Sequence, residues 1–496
     1  MGISGLIFLS SGLFLGWSLG ANDASNVFGT AVATRMVKFK TAAIVCSIFI
    51  ALGAVIGGVG AAHTLGSLGK VNAIGGSFVT AFAAAFMVYS MNKVGLPVSV
   101  SQAVVGAIIG WNWFTDSVTD MDSLVKIAGT WVACPLIAAG FAIPLFACVK
   151  KIGQKVDLSL LQRDALTRTA MILTGAFGAY ALGANNMANV VGVFIPVVPF
   201  RDFNFFGFEI TAVHQLFFIG SVAASVGVYT YSYRVMMTVG NGLMPLSPFA
   251  AWVVVMSQSL VLFIFASEGL EYFLVSHGLP SVPLVPVSST QAVVGAVLGI
   301  GLLKGGKNIK WSILGRIVSG WVTTPLLTAC FCFFSLFIMQ NVFNQPVYTP
   351  RTYIMSPQVL KQLEDKGILA DGLSAITGKT YHTEQAIIRA VKERLPALTN
   401  EQEKSILAYS EVWKIRIDPS KIKKLPENEF SPEQMKDMEA LSGKTFEYRW
   451  ELEDALAALN PVWSPLPDTV LNKQKNKEIA QQFQILEGTF KWVSQD

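Results

Sequence analysis

GANDASNV at residues 20–27 returns as GANNMANV at residues 183–190. Outward from this pair, PVSVSQAVVGAIIG at residues 97–110 returns as PVSSTQAVVGAVLG at 286–299, and WVACPL at 131–136 returns as WVTTPL at 321–326. The order is kept, while the distance from first to second motif grows from 77 to 103 residues. Three ordered matches mark an internal duplication.

The setting of these motifs is apolar. Of 496 residues, 52% are hydrophobic and 14% charged, with 43 glycines, a balance foreign to soluble domains. Residues 1–340 hold 17 Lys and Arg against 10 Asp and Glu, and residues 341–496 hold 20 against 22. A spanning helix needs about 20 apolar residues. Such runs fall near 3–30, 41–60, 73–91, 97–115 and 124–149, then near 169–198, 209–231, 249–275, 284–303 and 311–341. The expected fold is an all-α integral membrane protein with two repeats of about five membrane segments each. An odd number of crossings per copy inserts the second copy in the opposite sense, an inverted-topology repeat. The expected divisions are 1–150 for the first repeat, 151–168 for a basic linker, 169–341 for the second repeat and 342–496 for a polar, helical, soluble tail. Within the tail, residues 382–394 and 432–458 carry helical patterns.

Basic residues orient the chain. Arg35, Lys38 and Lys40 follow the first run, five Lys or Arg lie from Lys150 to Arg168, and Lys304, Lys307 and Lys310 follow the ninth run. Placing all three clusters in the cytoplasm puts both termini and the acidic Asp116, Asp120 and Asp122 outside, in a multi-pass protein of the cell membrane. No Lys or Arg precedes Arg35, so the start reads as a mature first helix rather than a cleaved signal. The net charge of +5 forms no stripe that would fit nucleic acid. The cysteines (Cys46, Cys134, Cys148, Cys330, Cys332) sit inside apolar runs as packing residues, without zinc or disulfide spacing. GKT at 378–380 and 443–445 lacks the phosphate-loop glycine five positions earlier, where Leu373 and Met438 stand. No nucleophile–base pair is legible, so an enzyme is not expected.

Asp23 is the one acidic residue among the first 115, flanked by Asn22, Ser25 and Asn26. A carboxylate inside the bilayer reads as functional by default; at a helix end it would instead be hydrated. Small residues such as Gly20 and Ala24 allow the helix to break there or another backbone to approach closely. An unwound turn would offer carbonyls, amides and a carboxylate to a small hard cation, with sodium the natural candidate. In the proline motifs, Pro97 and Pro286 are placed to start helices. Ser99 and Ser101, and Ser288, Ser289 and Thr290, then set hydroxyls beside the free N–H groups of the first turn. Such a turn carries about half a positive charge and binds oxyanions, although Ser and Thr are also ordinary caps. Gln102 and Gln291, at matched positions, can donate or accept. Arg234 reads as a cytoplasmic anchor, His63 and His277 as loop residues and His214 as a helix-start residue.

GANDASNVFGTAV, GANNMANVVG and both PVSxxQ segments resemble the signature of the PiT inorganic phosphate transporter family, over residues 1–340. The resemblance implies cation-coupled phosphate uptake, with sodium or alternatively a proton as coupling ion, no other cofactor, and a homodimer in the bilayer. It carries cation binding to Asn22, Asp23, Asn26, Asn185, Asn186 and Asn189, and phosphate binding to Ser99, Ser101, Ser288, Ser289 and Thr290; Gln102 and Gln291, from their matched places in the same motifs, are expected to join the phosphate-binding set. Two positions depart from the family pattern. Asn186 stands where Asp is usual, and Gln102 and Gln291 stand where His is usual, which removes a negative charge and the groups that titrate near neutral pH. A sulfate transporter on the same fold is the nearest rival reading. A channel, or a nutrient receptor with a signalling tail, is the next.

Overall fold

The computed structural model describes residues 3–96, 98–155, 159–197, 200, 203–205, 208–239, 243–306, 309–368, 372–426, 429–467 and 469–491. Pro97 and Lys307 therefore lie outside the described residues. Two compact units result. The first comprises residues 1–115, 119–271 and 282–349; the second comprises 116–118, 272–281 and the chain from Pro350 onward.

In the first unit, α1 (Ile3–Ala33), α2 (Phe39–Gly57), α3 (Val59–Leu68), α4 (Ile74–Lys93), α5 (Val100–Thr115) and α6 (Met121–Lys155) form the first copy. The second copy runs α7 (Leu160–Val191), the hairpin β1 (Phe203–Phe205) and β2 (Phe208–Ile210), then α8 (Ala212–Thr230), α9 (Ser232–Val239), α10 (Pro248–Ile264), α11 (Glu268–Ser276), α12 (Ser289–Leu303) and α13 (Trp311–Asn341). Helices α2, α4, α6, α8 and α13 are each long and apolar enough to cross a bilayer, and α10 with α11 makes a sixth if their 70° bend is one broken span. Outward faces are apolar, as lipid contact requires: Ile44, Ile48, Leu52 and Ile56 form one exposed stripe along α2.

Several expectations change. The expected linker 151–168 is mostly helix, because α6 continues to Lys155 and Ser159 caps α7 through Gln162. The run 249–275 is split where the Ser267 hydroxyl accepts from Leu270 N–H and starts a new helix. Helices α5 and α12 have 16 and 15 residues, so they rise about 24 Å and 22 Å, short of the roughly 30 Å hydrocarbon core. His63 lies on α3 rather than in a loop. Cys46, Cys134 and Cys332 are buried, but Cys148 and Cys330 are exposed and pack against nothing central.

The copies exchange partners. Helix α5 packs on α13 and α12 on α6, while α1 packs on α8 and α2 on α7, so the major contacts join one copy to the other. Glycine makes the approach possible. A Cβ on Gly106 would lie 2.2 Å from Pro325 O, and one on Gly295 would lie 2.1 Å from Pro135 O. The third motif of each copy thus supplies the surface for the second motif of the other.

The second unit holds α14 (Pro357–Asp365), α15 (Glu384–Lys392), α16 (Asn400–Ser410), α17 (Pro419–Ile422), α18 (Pro432–Ala440), α19 (Arg449–Leu459) and α20 (Lys473–Phe490). Two antiparallel pairs accompany them, β3 (Tyr353–Ile354) with β4 (Thr380–Tyr381) and β5 (Val412–Arg416) with β6 (Thr445–Tyr448). The expected helix 432–458 is broken at Gly443, whose φ of +80° turns the chain into the β-favouring Thr445–Tyr448. One core gathers Val359, Leu363, Ile387 and Val391, and another gathers Ile415, Leu456, Trp463 and Phe483. Residues 116–118 are bound within this unit: Thr383 Oγ1 donates to Asp116 Oδ2 at 2.8 Å, and Val118 N–H donates to Glu384 Oε2 at 2.8 Å.

Gly106→Ala and Gly295→Ala should each lower stability by about 1–3 kcal/mol through overpacking. Gly140→Ala, which meets nothing within 4 Å, should leave the thermal midpoint of the detergent-solubilised protein unchanged or raised. Equal midpoints for all three variants would refute the exchanged packing.

Candidate functional site

The duplicated motifs converge in the interior of the first unit. Helices α1 and α7 run unbroken through residues 20–27 and 183–190, so the expected unwound turns are absent. The small residues serve close approach instead: a Cβ on Gly20 would lie 1.9 Å from Ala224 O, and one on Gly183 would lie 2.1 Å from Ile50 O. With α1 and α7 helical throughout these motifs, the polar groups that the motifs bring to the site are side chains.

Asp23 and Asn186 hold the same position in the two copies, and they touch. Asn186 Nδ2 donates to Asp23 Oδ2 at 3.2 Å, and Asn22 Nδ2 donates to Asp23 Oδ1 at 2.7 Å. Contact between equivalent residues places both on the pseudo-two-fold axis. Asn189 Nδ2 in turn donates to Asn186 Oδ1 at 3.2 Å. A buried carboxylate of this kind is costly unless hydrogen-bonded or paired with a cation. Here the amides supply the bonds and no basic side chain of the motifs supplies the charge.

The same residues anchor the starts of α5 and α12. Asn22 Nδ2 donates to Val98 O at 3.3 Å, while Asn185 accepts from Val287 N–H at 2.9 Å and donates to Val285 O at 3.3 Å. Asn26 Nδ2 crosses to the other copy, donating to Ser289 Oγ at 3.0 Å and Thr290 Oγ1 at 3.3 Å. Thr290 Oγ1 donates to Val98 O at 3.4 Å, which brings the start of α12 against the segment that leads into α5. Ser99 and Ser101 hydroxyls lie 3.0 Å apart.

Neither helix begins with proline. Pro286 stands two residues before the cap Ser288, whose hydroxyl accepts from Gln291 N–H at 3.2 Å. In α5, Ser99 accepts from Gln102 N–H at 3.3 Å. Proline biases the preceding chain toward extended backbone, so its role at 286 is to deliver the chain to the cap. None of the thirteen residues singled out from the motifs is more than 6% exposed, and all of them lie in this one region.

Two further side chains were not singled out. Cys134 Sγ reaches Ser288 O at 3.5 Å, joining the third motif of one copy to the second motif of the other. Gln258, on α10 against α7 and α12, is fully buried with no partner for its amide oxygen or nitrogen. Its one sequence signal is an amide within the apolar run 249–264. His214 completes a capping box with Thr211, as its place near a helix start implies.

Known proteins show the family to which the chain is related. The chain matches the Phosphate transporter family over residues 19–332 and again over 281–459, so the match runs into the tail that the motif resemblance left out. A protein of Methanocaldococcus jannaschii with the provisional name phosphate permease is 27% identical, over 63% of this chain and 91% of its own. A protein of Haemophilus influenzae with the same provisional name is 25% identical, over 67% and 96%. A sulfate permease of Bacillus subtilis is 26% identical, over 67% and 88%. A solved structure described as the sodium-dependent phosphate transporter superposes with a TM-score of 0.55 at 20% identity, covering 68% of this chain and 99% of that one. The likeness to that structure shows a shared fold, and the motif matches fall inside the family region. This multi-pass membrane protein belongs to the Phosphate transporter family.

Proposed function

We propose that the chain moves inorganic phosphate across the membrane by symport with sodium. The observation that carries this reading is the juxtaposition of a buried carboxylate on the axis, Asp23, with two capped helix starts, at Ser99 and Ser288, from opposite copies. Asp23 with Asn22, Asn26, Asn185, Asn186 and Asn189 forms an oxygen-rich cluster of single negative charge, suited to one small hard cation. The starts of α5 and α12 offer hydroxyls and the positive ends of two helix dipoles to an oxyanion. Cation and anion in neighbouring positions neutralise one another, which is the physical reason for coupling. Rocking of one copy against the other would expose the site alternately to each side. A proton is the alternative coupling ion.

Residues 116–118 and 272–281 and the tail all belong to the second unit. The orientation with both termini outside assigns these three segments to one side of the membrane, and their common membership supports a shared side, whichever side that is. Assembly as a homodimer follows from the family resemblance and is part of the proposal.

Sulfate is the second reading. The relative described as a sulfate permease favours it, as does Asn186, which removes an acceptor that protonated phosphate would use. Asp23 favours phosphate, because sulfate carries no proton to donate to it.

Purified protein in proteoliposomes should accumulate labelled phosphate under an inward sodium gradient, with weak competition by sulfate. Asp23→Asn should lower that uptake roughly 10- to 100-fold, the loss of one charge-assisted contact. Strong competition by unlabelled sulfate would move the assignment to sulfate, and proton-driven uptake would change the coupling ion. Uptake under neither gradient would favour a receptor.

Asn186→Asp should make folding depend on sodium. Two carboxylates about 3 Å apart repel by about 5 kcal/mol at an effective dielectric constant of about 20. The thermal midpoint in choline chloride should fall, and sodium chloride should restore it by a larger increment than in the wild type. Equal responses to the two salts would count against a cation site at this pair.

A further inference from the structure

Among the described residues, five helices begin with Ser or Thr followed three residues later by Gln, the pattern of a capping box. Three of the boxes are closed. Gln162 Oε1 accepts from Ser159 N–H at 3.1 Å, Gln402 Oε1 from Thr399 N–H at 2.9 Å, and Gln434 Oε1 from Ser431 N–H at 2.9 Å. The other two, at the starts of α5 and α12, are half-formed. Gln102 N–H and Gln291 N–H donate to their cap hydroxyls, yet Gln102 Oε1 and Gln291 Oε1 are buried and accept no hydrogen bond. Each glutamine is 1% exposed.

An amide oxygen buried without a donor is costly, and an available capping bond left unmade needs a reason. The same departure occurs at equivalent positions of both copies and nowhere else among the five. Both glutamines lie in the first turn of a helix, whose free N–H groups are donors that any oxyanion accepts. A fully ionised oxyanion such as sulfate has acceptors only, so a carbonyl oxygen facing it repels. Phosphate near neutral pH keeps one or two hydroxyls, and each hydroxyl is a donor.

We infer that Gln102 and Gln291 are specificity residues whose side-chain oxygens accept hydrogen bonds from the hydroxyls of protonated phosphate and so select it over sulfate. Dihydrogenphosphate would occupy both acceptors and hydrogenphosphate one. The inference rests on the phosphate reading above and adds the source of its selectivity. A site built to pair a particular hydroxyl discriminates strongly against an analogue lacking it, because its own polar group is then left unpaired.

The test uses Gln102→Met, Gln291→Met and the double variant in proteoliposomes, with phosphate and arsenate as protonated anions and sulfate and selenate as unprotonated ones. Methionine keeps the length of the side chain and removes the acceptor. Phosphate and arsenate should lose about tenfold or more in apparent affinity per site while sulfate and selenate hold or gain. Gln291→His, whose neutral ring keeps an acceptor nitrogen, should restore the preference, and the sodium concentration for half-maximal uptake, read at saturating phosphate because the two sites are linked, should stay unchanged. If the Met variants do not fold, Gln102→Asn, which shortens the side chain by one methylene, is read by the shift in unfolding temperature on adding each anion. An equal loss for all four anions, or a shifted sodium requirement with the anion ratio intact, overturns the inference. Wild-type protein that carries sulfate and not phosphate overturns the function as well, whereas phosphate transport with an unchanged ratio in the variants overturns this inference alone.

Discussion

The contact between Asp23 and Asn186 is the constraint around which the first unit is arranged. A carboxylate at that depth must have donors, and the chain provides them from both copies of one motif, Asn22 beside it and Asn186 across the axis. Asn22 also holds Val98, ahead of α5, while Asn185 holds Val285 and Val287, ahead of α12, and Asn26 reaches the hydroxyls of the first turn of α12. One buried charge therefore organises a network that reaches both helix starts. A network of this kind is stable only when its members are satisfied, so the acceptors left open in it stand out as positions for a ligand.

Close backbone approach is the second requirement. The two copies bury these motifs only if their helices approach closely, and in lipid that approach comes from packing rather than from a hydrophobic drive. Glycines set against carbonyls of the opposite copy provide it, at Gly20 and Gly183 for the first motif and at Gly106 and Gly295 for the second. The exchange of partners follows. Neither copy can complete its own site, since the surface that receives α5 belongs to α13 and the surface that receives α12 belongs to α6. Relative motion of the copies would change the two helix starts and the axis contact together, which the proposed coupling requires.

Much of this was legible in the residues. The duplication, the apolar runs, the isolated Asp23 and the capped helix starts all follow from local pattern, because burial of a charge and the chemistry of a cap are properties of neighbours in sequence. The folded character of the tail follows in the same way. The misread elements have a common cause. GANDASNV was read as a place where the helix could unwind, but small residues permit both a break and a close contact, and the choice between them is made by the helix that arrives. The bend before α11 and the turn at Gly443 depend on single side-chain caps and one positive φ, signals too short for a periodic pattern to resolve.

By itself the sequence determined a duplicated, all-helical membrane protein of the phosphate transporter type, with its polar residues collected in three repeated motifs, because periodicity, apolar length and motif order need no knowledge of neighbours in space. Only the tertiary structure decided that equivalent residues of the two copies meet on an axis, that each second motif rests on the other copy's third, and that two of five capping boxes stay half-open. The first two facts concern residues some 160 to 220 positions apart, and the third concerns side chains whose surroundings come from the other copy as well as their own, so packing rather than local preference sets all three.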